Sequence, residues 1–531
     1  MAGQVRRASI FDSIVEYRSR GAQATAFVIS ELHSKRGGPA QPQSLEAHIR
    51  VAERDIHVHG TLSAFHRFLA DEPYALSLSA EMPGFVIGVS GEIESPATGR
   101  GTHLELNVRV EELKALAELF GLELHERGPL NFHAILRDTR KGYLLDNAKL
   151  GTNASDLTLR LSFETGDEPL KIVGRIDSFK IDLGDVVQDS VAETVNDQLF
   201  SEQPLELSWL HKIDVALELN IDSLVSTEAK FSDLKLNLRI ADGELNIDGL
   251  SANVADGSLR ADLSLDDSRD LPVAAIQVEL ESLVVGKLPF ISRRAQISNG
   301  ITDISLDVKG SGRSIARIAG NAGGEILIRA NDAVINHGAA SVLGGDLVLG
   351  LLKQLNPLAQ VDSKTHLGCL SIRFRFRDGI ARDDTGIGLR TRELTLLGGG
   401  TIDLKTERID IGVKPKPRTG VGLNLTSLAD FIRIGGTLKK PEIITNAAGA
   451  ATAGLKVGAG VATVGLSVLA EGLFDRLTAD TDACSVALGT ATIGHSRSKP
   501  SMIKKTTDKT TNVLEDASRK VKGVFKSLFD N

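Results

Sequence analysis

FSDLKLNLRIADGELNIDGLSANVADGSLRADLSLD, residues 231–266, decides the fold. Leu234, Leu236, Leu238 and Ile240 fall on alternate positions, as do Leu245 and Ile247, and then Leu259, Ala261, Leu263 and Leu265. Lys235, Asn237, Arg239, Arg260, Asp262 and Ser264 stand between them. Successive side chains of a strand point to opposite faces, so this period of two writes one apolar and one wet face. Ala-Asp-Gly stands at both bends, 241–243 and 255–257, and Gly in such a bend supplies a tight turn.

The same signal extends over about residues 46–440. HIRVAERDIHVHGTL, YALSLSAEM, HLELNVRV, KIDVALELNI, GEILIRAN and LSIRFRFRDG all read as strands, roughly 25–30 in all. Short helices are expected at 111–121, 186–200 and 345–357. The pattern also repeats. NAKLGTNASDLTLRLSF (147–163), DGLSANVADGSLRADLSL (248–265) and TRELTLLGGGTIDLKT (391–406) share a short strand, a Gly-containing bend and an alternating strand. GTLSAF (60–65), GEIESP (91–96) and GTLKKPEI (436–443) form a second recurring unit. Imperfect repeats of this kind argue for one elongated architecture. The fold class is mainly β: an elongated, curled antiparallel β-sheet groove with a few short helices and a helical C-terminal segment. Residues 1–45 read as linker-like, 46–440 as the groove, 441–480 as a small-residue apolar helical segment, and 481–531 as a basic amphipathic or disordered tail.

Composition narrows the function. Of 531 residues 42% are hydrophobic but only 4% aromatic, and the net charge is −8. A chain poor in stacking rings and negative overall is not built to hold nucleic acid. No GxSxG, HExxH or nucleophile–base constellation occurs, so neither an enzyme nor a cofactor is expected. KGSGRS (309–314) follows a strand and precedes a helix, but lacks the Gly-Lys-Ser/Thr of a phosphate loop. The Asp-Gly turns at 242–243, 256–257 and 378–379 lack the spacing of calcium-binding β-rolls. His57 and His59 share a strand face with Asp55, a set that can hold a metal. The wet face of a strand accounts for them more simply, and no metal is assigned. Cys369 and Cys484 are the two cysteines. Two unpaired thiols are the simpler reading, and a disulfide is the alternative in an oxidising compartment.

Near the start, the longest apolar run, TAFVIS (25–30), is too short for a signal-peptide core or a membrane span. A cytoplasmic protein and a chain whose start lies upstream are the two readings. VGAGVATVGLSVLA (457–470) is bracketed by Lys456 and Glu471. It reads either as a helix lying on a membrane or as one packed across the groove end. Residues 495–531 hold nine Lys and Arg against four Asp and Glu, a net of +5. Val513, Ala517, Val521, Val524, Phe525 and Leu528 fall on one helical face there, which suits an anionic membrane surface; a solvated tail is the plainer reading.

Several stretches resemble the AsmA-like proteins of Gram-negative envelopes. KGSGRSIARIAGNAGGEILI (309–328) resembles that family's Gly-rich strand-to-helix element. CLSIRFRFRDGIAR (369–382) resembles its strand and Asp-Gly turn. LTLLGGGTIDLKTERIDIGVKPKP (394–417) resembles its characteristic strand pair, and IRIGGTLKKPEI (432–443) its closing strand. The end, KGVFKSLFDN, is similar too, and residues 81–190 follow the looser upstream grammar. The resemblance is densest at 300–445.

It implies a long β groove in the periplasm, anchored in the inner membrane by an N-terminal helix that is not legible in this sequence. It also implies phospholipid movement between inner and outer membrane and a part in outer-membrane biogenesis. The periplasmic location rests on the resemblance alone. The partners implied are phospholipid acyl chains, a membrane surface met by the C-terminal segment, and other envelope proteins. On this reading the groove is lined by Leu157, Leu159, Leu161, Leu234, Leu236, Leu238, Ile240, Leu245, Ile247, Leu259, Leu263, Leu265, Leu394, Leu396, Ile402 and Leu404. The alternative is a β-rich scaffold or adhesin whose apolar face is self-packed. An enzyme on a β-helix ranks third.

Overall fold

The computed structural model describes residues 7–17, 25–36, 41–51, 54–111, 129–164, 169–183, 198–289, 297–336, 364–392, 394–418, 432–444 and 481–491. The chain divides into two compact units, Met1–Ser190 with Lys212–Val225, and Val191–His211 with Ser226–Asn531.

The first unit carries β1 (Arg7–Tyr17), β2 (Thr25–Arg36), β3 (Gln43–Val51), β4 (Arg54–Leu62), β5 (Tyr74–Met82), β6 (Phe85–Ser95), β7 (Arg100–Val110), β8 (Leu130–Thr139), β9 (Gly142–Gly151), β10 (Asp156–Glu164), β11 (Leu170–Asp182) and β12 (Ile213–Val225). Each strand from β1 to β10 pairs antiparallel with the next. β11 and β12 run parallel, Leu170 opposite Ile213 through Asp182 opposite Val225. A parallel pair needs a crossover of about a dozen residues or more, and residues 183–212 provide it. The meander expected from the sequence did not include this reversal. β1 and β2 lie within the first 45 residues, where the composition suggested a linker.

The second unit carries β13 (Lys230–Ala241), β14 (Glu244–Val254), β15 (Gly257–Asp266), β16 (Val273–Val284), β17 (Ile297–Ser311), β18 (Gly323–Asn336), β19 (Lys364–Arg377), β20 (Ile380–Thr391), β21 (Leu394–Asp403), β22 (Arg408–Pro417), β23 (Ile432–Gly436) and β24 (Pro441–Ile444). Every neighbouring pair is antiparallel. The described strands number 24, close to the sequence expectation. Among the described strands no pairing joins β1 to β12 or β13 to β24, so hydrogen bonding does not close either unit's sheet on itself.

The bends explain the opening stretch. Ala241 pairs with Glu244, leaving Asp242 and Gly243 as a two-residue loop with φ of 54° and 80°. Two positive φ values mark the hairpin turn whose twist matches that of the strands, and Asp-Gly is among its preferred sequences. The second Ala-Asp-Gly behaves differently. Val254 pairs with Gly257, so Ala255 and Asp256 form the loop, at φ 46° and 65°. Gly257 is already in β15, and a Cβ there would lie 2.7 Å from the backbone nitrogen of Leu283. One tripeptide thus uses its glycine once for a turn and once for close approach of two backbones.

Helices are few among the described residues. α1 is Phe65–Leu69 and α2 is Ile315–Gly320. α2 follows β17 as the Gly-rich stretch predicts, and Ser314 caps it by accepting the Arg317 N–H at 3.2 Å. α3 (Ala483–Ala487) is capped by Asp482, which accepts the Ser485 N–H. Helices expected at 111–121 and 345–357, most of 186–200, the apolar stretch 457–470 and the basic tail from 495 lie outside the described residues.

Cys369 and Cys484 form a disulfide across 115 positions of sequence, so of the two readings of the cysteines the paired one holds. The bond ties α3 to the sheet at β19, and α3 also lies against β20. A Cβ on Gly388 of β20 would sit 2.1 Å from the Ala483 carbonyl oxygen. Leu397, in register with Gly388, is fully buried on that same face.

Candidate functional site

Within the second unit, alternation and register assemble the apolar positions into continuous rows. Leu238 of β13 stands opposite Ile247 of β14, which stands opposite Leu263 of β15. The row runs on through Ile276, Val308, Gly324, Phe376, Ala381, Ile402 and Ile409, one residue from each strand to β22. A second row runs Ala252, Leu259, Leu280, Ile304, Ile328, Ile372 and Ile387. A one-residue slip at any boundary would turn that strand's apolar set to the opposite face. Nine strand spacings of about 4.8 Å make the first row about 43 Å long.

The predicted lining residues fall on this face. Ile240, Leu245 and Leu265 align across β13 to β15, and Leu234 and Leu236 share their strand's apolar side. Leu394, Leu396, Ile402 and Leu404 belong to a hydrophobic cluster with Phe374, Phe376, Ala381, Ile411 and Val413. Burial grades along the face. Toward β19 to β22 it is sealed: Phe374, Leu396 and Val413 are no more than 5% exposed. At β14 to β16, Ile247, Leu263 and Leu265 are half-buried and Ile276 is 37% exposed. A second packed layer would take such residues to near zero, so this stretch is unsealed.

Leu157, Leu159 and Leu161 lie in the first unit, on β10. Leu161 belongs to a row running from Leu62 through Leu76, Gly91, Leu104, Leu136, Leu145, Leu161 and Gly174 to Leu217. Two glycines within the rows do the same work. Gly91 has φ 141° and Gly324 φ 145°, and a Cβ would lie 2.0 Å from the His103 carbonyl oxygen and 1.9 Å from that of Asp307. Such kinks bend a strand and let backbones approach closely. The Gly-Glu-Ile units at 91–93 and 324–326 were visible in the sequence, but not that their glycines sit inside the apolar rows.

The opposite face is wet and ion-paired. Arg260 meets Glu281 at 3.2 Å, and Arg375 meets Glu325 at 2.7 Å. Exposed pairs of this kind contribute about 0.2–1 kcal/mol each and serve solubility more than stability. Asp262 does more than face water: its carboxylate accepts the Gly249 N–H at 2.7 Å, on a glycine at φ 62°. Near it, burial and the Asp262 charge raise the Asp248 carboxyl above its ordinary range, while Arg239 pulls it down.

Sequence reasoning missed Glu407, only 4% exposed, whose carboxylate accepts the N–H groups of Leu199 and Phe200, the latter at 2.8 Å. This buried carboxylate fastens the segment before Pro204 to the β21–β22 turn. Its long sequence separation left no local signal. Asp55, grouped by sequence with His57 and His59, instead takes the Arg50 guanidinium at 2.8 Å. No helix among the described residues is long and apolar enough to cross a membrane.

Comparison with known proteins bears out the resemblance. Residues 187–385 match the family model described as AsmA family. The chain is also 21% identical over 387 residues to the AsmA family protein YhjG of Escherichia coli (strain K12), covering 67% of this chain and 54% of that protein. The chain therefore spans about half the length of the curated relative it matches. The family match begins upstream of the motif-dense region and stops before the 394–417 strand pair.

Proposed function

We propose that this protein is a non-enzymatic component of the cell envelope whose apolar face shields lipid acyl chains, serving phospholipid transport between inner and outer membrane and outer-membrane biogenesis. The observation that carries this reading is the continuous, mainly aliphatic row from Leu238 to Ile409, unsealed around Ile276. Each CH₂ moved from water onto such a surface gains about 0.8 kcal/mol. One leaflet of a bilayer core is about 15 Å thick, so even the part of the row on β13 to β18, five spacings or about 24 Å, exceeds one acyl chain. A run of similar Leu, Ile and Val side chains offers many near-equal sites in series, and a lipid moves among them without a deep trap. No cofactor is required for such movement.

Two further observations support the envelope. The family match points there, and disulfides such as Cys369–Cys484 persist in oxidising compartments, of which the periplasm is one. The C-terminal segment beyond 481, basic from 495, supplies the membrane contact in this reading. The sealed cluster at β19 to β22 favours a self-packed scaffold for that end alone.

The test is extraction of the purified full chain with organic solvent and identification of lipid by mass spectrometry. Stoichiometric phospholipid, lost in Leu263→Asp and kept in Ser264→Lys, is the expected result. A stable, lipid-free protein contradicts the reading.

A further inference from the structure

Three histidines gather on the wet face of β3 to β5 in the first unit. Register sets His48 opposite His57, and His57 opposite Glu81; Glu46 stands opposite His59. The imidazoles of His48 and His57 stack at a centroid distance of 4.7 Å, and those of His57 and His59 lie 5.2 Å apart. His57 Nε2 is 3.7 Å from Glu46 Oε1, and His59 Nε2 is 3.8 Å from Glu81 Oε1. Those separations are too long for hydrogen bonds. His57 Nε2 and His59 Nδ1 are both buried from solvent with no hydrogen-bond partner. A buried polar atom left unsatisfied needs an explanation, and an ion is one of the ordinary ones.

The donor geometry fits an ion. Glu46, His48 and His57 place three ligand atoms within 4.8 Å of one another, and His57, His59 and Glu81 do the same. Around a zinc with ligand bonds of about 2.1 Å, neighbouring donors of a tetrahedron stand about 3.4 Å apart. The 3.7 and 3.8 Å carboxylate–imidazole separations are within a small rotamer adjustment of that edge. Imidazole with carboxylate is a donor set for first-row divalent transition metals and not for calcium or magnesium, which take oxygen alone. His57 belongs to both triads, so it is the pivotal ligand.

We infer that the wet face of β3, β4 and β5 binds a divalent transition metal of the zinc class through His57, completed either by His48 and Glu46 or by His59 and Glu81. An ion held by either triad would join two consecutive strands side chain to side chain, β3 with β4 or β4 with β5, on the face away from the apolar row. The inference does not rest on the lipid reading: a lipid-free protein could still hold the metal.

The experiment is equilibrium competition of the purified full-length protein with a chromophoric chelator for Zn²⁺, followed by X-ray absorption of the loaded protein. Tight binding of one or two Zn²⁺ per chain is expected, with imidazole scattering in the absorption spectrum. His57→Ala weakens binding by at least about tenfold, and Glu46→Gln with Glu81→Gln, which leaves the histidines in place, weakens it measurably. His103→Ala, an exposed histidine of β7, leaves it unchanged. Circular dichroism of each variant confirms that the strands persist. Zinc bound equally by wild type and His57→Ala, a spectrum without imidazole, or no binding tighter than about 10 μM overturns the inference.

Discussion

Leu263 of β15 stands directly opposite Ile276 of β16, and Ile276 remains 37% exposed although both lie in the middle of a ten-strand apolar row. In the proposed reading an acyl chain lies over this open aliphatic side chain. Placing a carboxylate there removes apolar surface and adds a charge that an acyl chain cannot solvate. Leu263→Asp is therefore expected to abolish most lipid loading, whereas Ser264→Lys, one residue along and on the wet side, leaves it within about twofold. Lipid-to-protein ratio by mass spectrometry reads both.

Gly324 predicts a localised backbone sensitivity. Its φ is 145°, and a Cβ added there would lie 1.9 Å from the Asp307 carbonyl oxygen, which excludes any side chain without a shift of β17. Gly324→Ala is expected to cost about 1–3 kcal/mol in denaturant unfolding. Gly323→Ala next to it, where a Cβ meets nothing nearer than 3.7 Å, is expected to cost about 1 kcal/mol or less.

Much of this architecture was legible in the sequence because period-two alternation and strand register are local properties. The segment from Leu234 to Leu265 wrote its own hairpins, its faces and its turns. What was not legible depends on contacts distant in sequence. Glu407 meets Leu199 and Phe200, the parallel pairing of β11 with β12 depends on a crossover, and Glu81 reaches His59 only once β5 is laid beside β4. Composition also misled locally: the first 45 residues hold β1 and β2, and Ile10, Phe11, Ile14 and Val15 of β1 stand exposed rather than marking a buried face.

Asp248 carries a pH signature. Burial and the Asp262 charge raise its folded-state pKa above 3.8, so the folded protein holds this proton more tightly than the unfolded chain. Stability from this group is present below the unfolded value and lost as pH rises through the folded one. Asp248→Asn is accordingly expected to raise Tm at pH 7, with the gain fading as pH falls below the carboxylate range. Thermal unfolding at pH 7 and pH 3 checks the sign; a lower Tm at pH 7 contradicts it.

The Cys369–Cys484 bond closes a loop of 115 positions. Removing a bond of that class is expected to cost about 2–4 kcal/mol. Cys484→Ser should release α3 from β19 to β21 and expose Leu397, while the β signal in circular dichroism stays largely intact. Hydrogen exchange at the amides of β20 and β21 reads the release.

The central claim is that lipid lies along one face of the second unit. Photo-crosslinking in living cells tests it most directly, with a benzophenone amino acid placed at Ile276 and, in a parallel strain, at the adjacent Gln277. Gln277 sits in register with Asp262 and Asp307 on the wet side. Phospholipid adducts at Ile276 and none at Gln277 are the predicted result. Adducts at both positions alike, or at neither while the protein is folded, would contradict the account.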